Sequence, residues 1–204
     1  ISKDMPEATT FARSIISIIE KLPKFLRPGF KKRTEQTFIL TNGSKVYSAA
    51  VNPDQPDKTL RGKPITLLVV DEAAFIKRMD AAWTSLVPTL STSQKAARAR
   101  NIPYGTILLS TPNKTQGVGS FFYSKYVTAT SSDDIFTPFT IHWRDIAELV
   151  EDPAWYENQR KMFGFDDRKI QQELELKFLP TEGSFLMQIY VLNYKIMKQN
   201  QLKY

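Results

Sequence analysis

Residues 65–76 read ITLLVVDEAAFI, an apolar β-forming run that ends in two adjacent carboxylates, Asp71 and Glu72. In α/β sheets ligands sit outside the carboxyl ends of the strands, so polar residues just past a buried strand face the reactive crevice. At that position Asp71 would hold Mg²⁺, directly or through water. Magnesium takes few carboxylates and completes its shell with water and phosphate oxygens. Glu72 would orient and deprotonate a water attacking a γ-phosphate. Two neighbouring carboxylates repel each other, and a divalent cation or a nearby arginine relieves the repulsion. The competing explanation is a surface Asp-Glu pair at a strand end that caps the next helix. A second run, TILLSTPN at 106–113, repeats the plan of an apolar stretch followed by hydroxyls and an amide. Ser110, Thr111 and Asn113 would sense the phosphate or the attacking water, with Pro112 fixing the turn. An ordinary strand-to-loop turn explains the same residues.

These groups need a scaffold. Residues 6–22 carry Ala8, Phe11, Ala12, Ile15, Ile19 and Leu22 at three- and four-residue spacing, which predicts an amphipathic helix. Asp4 is its N-cap, with Glu7 three residues on as in a capping box, and Pro23 and Pro28-Gly29 end it. TFILTNGSKVYSAA predicts a hairpin, because Asn42-Gly43 supplies the positive φ angles of a tight turn. Residues 50–64 hold three prolines and one glycine and read as a loop. Residues 77–90 predict a short helix broken near Pro88. KAARAR at 95–100 reads as basic helix or loop, and 105–113 as a second buried strand. A helix starts after TQGVG, SSDDIFTPFTIHW reads as loop and strand, and Asp152-Pro153 and Asp166 or Asp167 open two further helices. Strands alternating with helices, and continuous rather than alternating apolar strands, predict an α/β sheet buried on both faces.

The chain has 204 residues and a formal net charge of +7. That balance favours anionic partners such as nucleic acid without deciding for them. The absence of cysteine excludes disulfides and thiolate metal sites and agrees with a cytosolic setting. A single histidine, His142, excludes a histidine-rich metal centre. No apolar run is long enough to span a membrane.

Taken in order, EKLPKFLRPGF, the strand–TNGS–strand hairpin, Leu60-Arg61-Gly62, VVDEAAFI, LLSTPN and WYENQRKMFGFDDRKIQQELELKFLPTEGSFL resemble the large terminase subunit of tailed bacteriophages over roughly residues 1–186. The resemblance implies a partial P-loop NTPase fold of the ASCE type. In it, a mostly parallel sheet is flanked by helices, with a β-hairpin and a C-terminal helical subdomain. It divides the chain into a truncated ATPase core (1–140), a helical lid or linker-side subdomain (141–186) and an atypical tail (187–204). It implies ATP and Mg²⁺ as cofactors and double-stranded DNA, a portal protein and a small terminase subunit as partners. A homo-oligomeric ring in the host cytoplasm, without a membrane, completes the expectation. Asp71 would be the Walker B metal residue, Glu72 the catalytic base, and Ser110, Thr111 and Asn113 part of the motif coupling hydrolysis to movement. Arg61 falls where some members place an arginine finger that acts in trans on developing phosphoryl charge. Its alternative role is a loop salt bridge to Asp71 or Asp57.

The 204 residues contain no GxxxxGK followed by Ser or Thr. An internal piece of the ATPase domain, turning over little ATP by itself, is therefore expected. Residues 187–204 contain no Asp, Glu, Gly or Pro and look foreign to the rest. Two other readings stand beside this one. A superfamily 2 helicase or translocase shares the phosphate chemistry, and DEAA and STPN resemble its motifs. A non-enzymatic DNA-binding module would use Lys95, Arg98 and Arg100, or Lys31, Lys32 and Arg33, each cluster being otherwise a solvated face. Phe121, Phe122 and Tyr123 would stack on bases or, more simply, pack in a core, as would Trp83, Trp143 and Trp155.

Overall fold

Asp4 opens the first helix, α1 (Met5–Lys21), by accepting the Glu7 N–H at 2.9 Å. The reciprocal half of the capping box is replaced. Glu7 pairs with Lys3 at 2.7 Å and accepts the Ser2 hydroxyl at 3.2 Å. At the other end the Arg27 guanidinium donates twice to the Leu22 carbonyl, at 3.1 and 2.9 Å, satisfying an acceptor that a helix end leaves open. The computed structural model describes residues 1–131 and 134–180. The tail at 187–204 lies outside them.

The described residues form two compact units, Ile1–Ile65 with Ile76–Ser93, and Thr66–Phe75 with those from Gln94 onward. In the first, α1 lies on an antiparallel sheet of order β1-β2-β3, made of β1 (Phe30–Arg33), β2 (Thr37–Leu40) and β3 (Lys45–Tyr47). Ala12 and Ile16 of the helix and Phe38 and Leu40 of β2 form the buried centre, with Ile15, Ile19, Phe30 and Val46 packed around it. Phe38, at 1% exposure, contributes on the order of 2–3 kcal/mol by burial alone. The predicted hairpin is present but turns differently. Only Gly43 has a positive φ (89°), and four residues connect the strands, with Gly43 N–H donating to the Leu40 carbonyl at 3.0 Å. The Asn42 side chain serves instead as acceptor for the Ser44 N–H at 3.0 Å. β1 was not anticipated, because FKKR reads as a charge cluster rather than a strand. It is an edge strand, where lysines and bulges are at home.

The helix expected to break near Pro88 runs through it as α2 (Met79–Ala99). Proline removes one backbone bond and crowds the preceding turn. Ala82, Leu86, Leu90 and Ala97 are nevertheless all buried along one stripe, and that burial outweighs the roughly 3 kcal/mol proline penalty.

In the second unit, β4 (Leu67–Val70) pairs in parallel with β5 (Gly105–Leu108), Leu67 opposite Gly105 and Val70 opposite Leu108. The described residues thus give a mixed α/β architecture. The expected mostly parallel sheet is corrected to one parallel pair and one antiparallel sheet of three strands. Nor is β4 covered evenly. Leu68 and Val70 are buried while Leu67 is 52% exposed. Helix α3 (Ser120–Thr130) packs on the short 3-10 turn Ala73–Phe75. Phe122 and Phe178 are fully buried, and Tyr123 meets Phe178 edge-on at 5.1 Å, so the Phe121–Tyr123 stretch builds core rather than a stacking platform.

Among the described residues the strand expected before Trp143 is absent. Residues 134–142 run without ladder partners, and His142 caps a 3-10 turn at Trp143–Asp145. Short helices follow: α4 (Ala147–Val150), α5 (Trp155–Met162) and α6 (Asp167–Lys169), which continues as a π-helical turn, Ile170–Leu174. Asp152 accepts the Ala154 N–H at 3.0 Å, so Asp152-Pro153 makes a turn two residues ahead of α5 rather than its first residues. Asp166 caps α6 as expected, accepting from Arg168 and Lys169.

Candidate functional site

The carboxyl ends of β4 and β5 lie side by side because the strands are parallel and in register. Pairing continues past both. Leu109 N–H donates to the Val70 carbonyl at 2.8 Å, and Ala73 N–H to the Leu109 carbonyl at 2.9 Å. Between these two bonds the first strand makes a sharp turn at Asp71-Glu72. Glu72 carries it with φ of 53°, a left-handed conformation that costs a non-glycine residue on the order of 1–3 kcal/mol. Asp71 braces the turn, its Oδ1 accepting the Glu72 N–H at 3.1 Å. Both carboxylates are partly exposed.

The STPN turn closes on them. Ser110 Oγ accepts the Ala74 N–H at 3.2 Å and donates to Glu72 Oε2 at 3.5 Å, the long end of a hydrogen bond. Asn113 Nδ2 donates to the Ala74 carbonyl at 2.9 Å. Buried Ala74 is therefore held at both its backbone N–H and its carbonyl by the two outer residues of STPN. Thr111 is partly exposed and its hydroxyl makes no hydrogen bond among the described residues. Pro112 is buried, as a turn-fixing residue should be.

Beyond Asn113 the chain folds back tightly. A Cβ on Gly119, whose φ is 114°, would stand 2.6 Å from the Lys114 carbonyl oxygen and 3.1 Å from Asn113 Cβ. The Asn113 carbonyl also accepts the Leu179 N–H at 3.2 Å, which fastens the turn to the segment after the π-helical turn.

The donor set at the strand ends is oxygen only: the Asp71 and Glu72 carboxylates and the Ser110 and Thr111 hydroxyls. This is chemistry that suits a hard cation shared with phosphate, and it does not suit zinc or copper. No group of three or more His, Cys, Asp or Glu gathers as a metal cluster among the described residues.

Arg61 belongs to the other unit. It sits between Leu60 and Gly62, both at positive φ (53° and 73°), so it stands at the tip of a loop. There it reaches Asp57 at 3.5 Å, with 72% of its side chain exposed. An ion pair this exposed contributes little.

A second polar centre escaped the sequence. Glu175, only 16% exposed, takes both ends of the Arg144 guanidinium at 3.1 and 3.4 Å, with His142 Nε2 at 3.8 Å. Burial opposes its ionisation, but hydrogen bonds from Arg144 and Tyr156 outweigh burial and hold its pKa below the usual value. Tyr156 moves up in turn, through burial and through its bond to Glu175. Trp143 stacks on Tyr156 at 5.1 Å and meets Trp155 at a tilt at 5.2 Å, with Arg144 over its ring at 4.5 Å. Arg144 and Glu175 lie 31 positions apart in the sequence, so no local pattern announces the pair. The structure gives His142 a capping part, its Nδ1 accepting the Arg144 N–H at 3.1 Å.

No helix among the described residues is long and apolar enough to cross a membrane. A family model described as terminase large subunit, T4likevirus-type, N-terminal, matches residues 2–186. That span takes in both strand ends, the Arg61 loop and the Glu175 cluster, and the chain belongs to this family of terminase large subunits, which serves bacteriophage DNA packaging.

Proposed function

We propose that this chain is the part of a packaging motor in which ATP hydrolysis is coupled to translocation of double-stranded DNA, and that the β4 and β5 ends hold the hydrolytic chemistry. The observation that carries the reading is the contact of Ser110 Oγ with Glu72 Oε2 across two parallel strand ends, with Glu72 in a left-handed turn. Strained residues concentrate where a side chain must be aimed.

In this reading Glu72 is the base that orients a water and accepts its proton. Ser110 holds the Glu72 carboxylate in position, and Thr111 presents its unengaged hydroxyl toward phosphate. Asn113 keeps the turn against Ala74. Asp71 would hold Mg²⁺, which when bound neutralises charge on the nucleotide phosphates. Arg61 reaches in trans to a neighbouring subunit's nucleotide, leaving a weak pair with Asp57 to do so. Ring assembly, a portal and a small terminase subunit belong to the same proposal, as does a P-loop fold for the whole ATPase domain.

The test is ATP turnover by the intact large subunit carrying Glu72→Gln. Loss of a general base removes typically 10²–10⁴-fold in rate, and MgATP binding should persist. Turnover within a few-fold of the parent would remove Glu72 from the reaction.

A further inference from the structure

The first unit carries a surface that the hydrolytic reading does not use. In β1 the register slips between Phe30 and Lys32, so Lys31 is the extra residue of a bulge. The slip decides which face each side chain takes. Phe30 packs on Phe38 at 6.0 Å on the α1 side. Arg33 stands opposite Phe38, lies over the Phe30 ring and reaches Glu20 of α1 at 2.6 Å, so it is on that side too. Lys32, opposite Ile39, is turned to the outer face. Without the bulge, strict alternation would put Lys32 on the α1 side with Phe30.

On the outer face Ile39 has Lys32 on one side and Lys45 on the other. The two ammonium-bearing residues flank one strand, about 10 Å apart, near the screening length of physiological salt. Tyr47 follows on the same face of β3, opposite Thr37, and Lys63 Nζ stands 5.4 Å from its ring centre. The three strands contain no carboxylate, and residues 21–33 hold six cations and no acid. The neighbouring acids are already engaged by arginines: Glu20 with Arg33, Glu35 with Arg13, Asp57 with Arg61. Lys31, Lys32, Lys45 and Lys63 are exposed and have no carboxylate partner among the described residues.

We infer that this outer sheet face, with Lys32, Lys45 and Lys63 around Tyr47 and Lys31 at the bulge, docks the phosphate backbone of duplex DNA. The inference rests on the DNA-packaging reading for its polyanion and adds where the chain grips it. Edge protection accounts for the lysines of β1 and for its bulge; it does not account for Lys63, which lies outside the three strands and stands over the Tyr47 ring. An anionic membrane is the poorer fit. The exposed apolar residues Phe25 and Leu26 sit in a turn outside any helix or strand, where the backbone groups left without protein partners would lose water in lipid.

The experiment measures anisotropy of a short labelled duplex with the full chain over a range of salt. Neutralising Lys32, Lys45 and Lys63 together (Lys→Gln) should flatten the slope of log K against log salt by about 0.9 for each phosphate no longer neutralised, so by about 2–3. The matching Lys→Arg triple should keep the parent slope, which guards against a folding artefact. Parent binding with an unchanged slope in the Gln triple overturns this face and leaves the DNA reading standing. No duplex binding by the parent at low salt overturns both, and binding to phosphatidylserine vesicles in place of duplex overturns the choice of partner.

Discussion

The clamp on Ala74 yields the sharpest stability prediction. Ala74 is fully buried, its N–H is taken by Ser110 Oγ at 3.2 Å and its carbonyl by Asn113 Nδ2 at 2.9 Å. Ser110→Ala strands a buried N–H, and a stranded buried polar group costs about 1–3 kcal/mol. The bond is long and Ser110 is partly exposed, so we expect the lower half of that range, about 1–2 kcal/mol. Asn113→Ala strands the carbonyl and loses a better bond, for about 2–3 kcal/mol by the same reasoning. For a chain of this size 1 kcal/mol moves the unfolding midpoint by roughly 2–4 °C. The double variant should cost less than the sum, because the two bonds hold the backbone of one residue and neighbours of this kind do not add. Thr111→Val is the control, since its hydroxyl holds nothing among the described residues, and it should shift stability by under about 0.5 kcal/mol. The assay is thermal unfolding followed by circular dichroism, with urea titrations for the free energies. A Ser110→Ala and Asn113→Ala pair both within about 0.5 kcal/mol of the parent, or a Thr111→Val as costly as either, would refute the clamp.

Gly119→Ala should destabilise by about 2–4 kcal/mol in urea titrations: φ of 114° is strained for alanine, and the new methyl would meet the Lys114 carbonyl at 2.6 Å. A change under about 1 kcal/mol would mean the 114–119 loop has slack. Glu175 has a folded pKa below its ordinary 4.5, so its contribution is present above that value and is lost as pH falls through the folded pKa. Glu175→Gln should therefore cost stability at neutral pH, about 1–2 kcal/mol after allowing for the half-exposed Arg144. The gap to the parent should close as pH falls below 4.5; a gap independent of pH would remove the charge from the explanation.

Local chemistry was legible where the deciding interactions are local. Asp4 caps α1 because its side chain needs only an N–H three residues away. The runs at 67–70 and 105–108 were legible as strands because short apolar runs with β-branched residues, bounded by turn residues, suit a half-buried pleated surface. The same reasoning failed where tertiary packing overrode a local rule. Pro88 is a strong breaker in isolation, yet the buried stripe from Ala82 to Ala97 keeps the helix whole. FKKR has three charges in four residues, and only the partner strand Thr37–Leu40 makes it β1. Residues 139–142 alternate apolar and polar like a strand but have no ladder partner among the described residues. For the candidate site, the order of VVDE and STPN along the chain suggested a shared crevice. The division of labour inside STPN was not readable, since whether Ser110 or Thr111 faces Glu72 depends on the register of β4 against β5.

That register links the aiming of a carboxylate to the integrity of the turn. Val70 is the last paired residue of β4, and Leu109, one past β5, donates back to it. To reach Leu109 again with the Ala73 N–H, the chain must reverse within Asp71 and Glu72. A left-handed residue at the second position accomplishes this in the fewest steps. Glycine would adopt that conformation without strain, but it would bring no side chain to Ser110. A glutamate there accepts the strain because the reversal that strains it also brings its carboxylate to the neighbouring strand end. The same reversal delivers Ala74 between Ser110 and Asn113, so the clamp holds the turn that carries the carboxylate. A substitution that loosens the clamp should therefore disturb Glu72 before it disturbs the strands. Stability and any chemistry at this site are properties of one backbone feature.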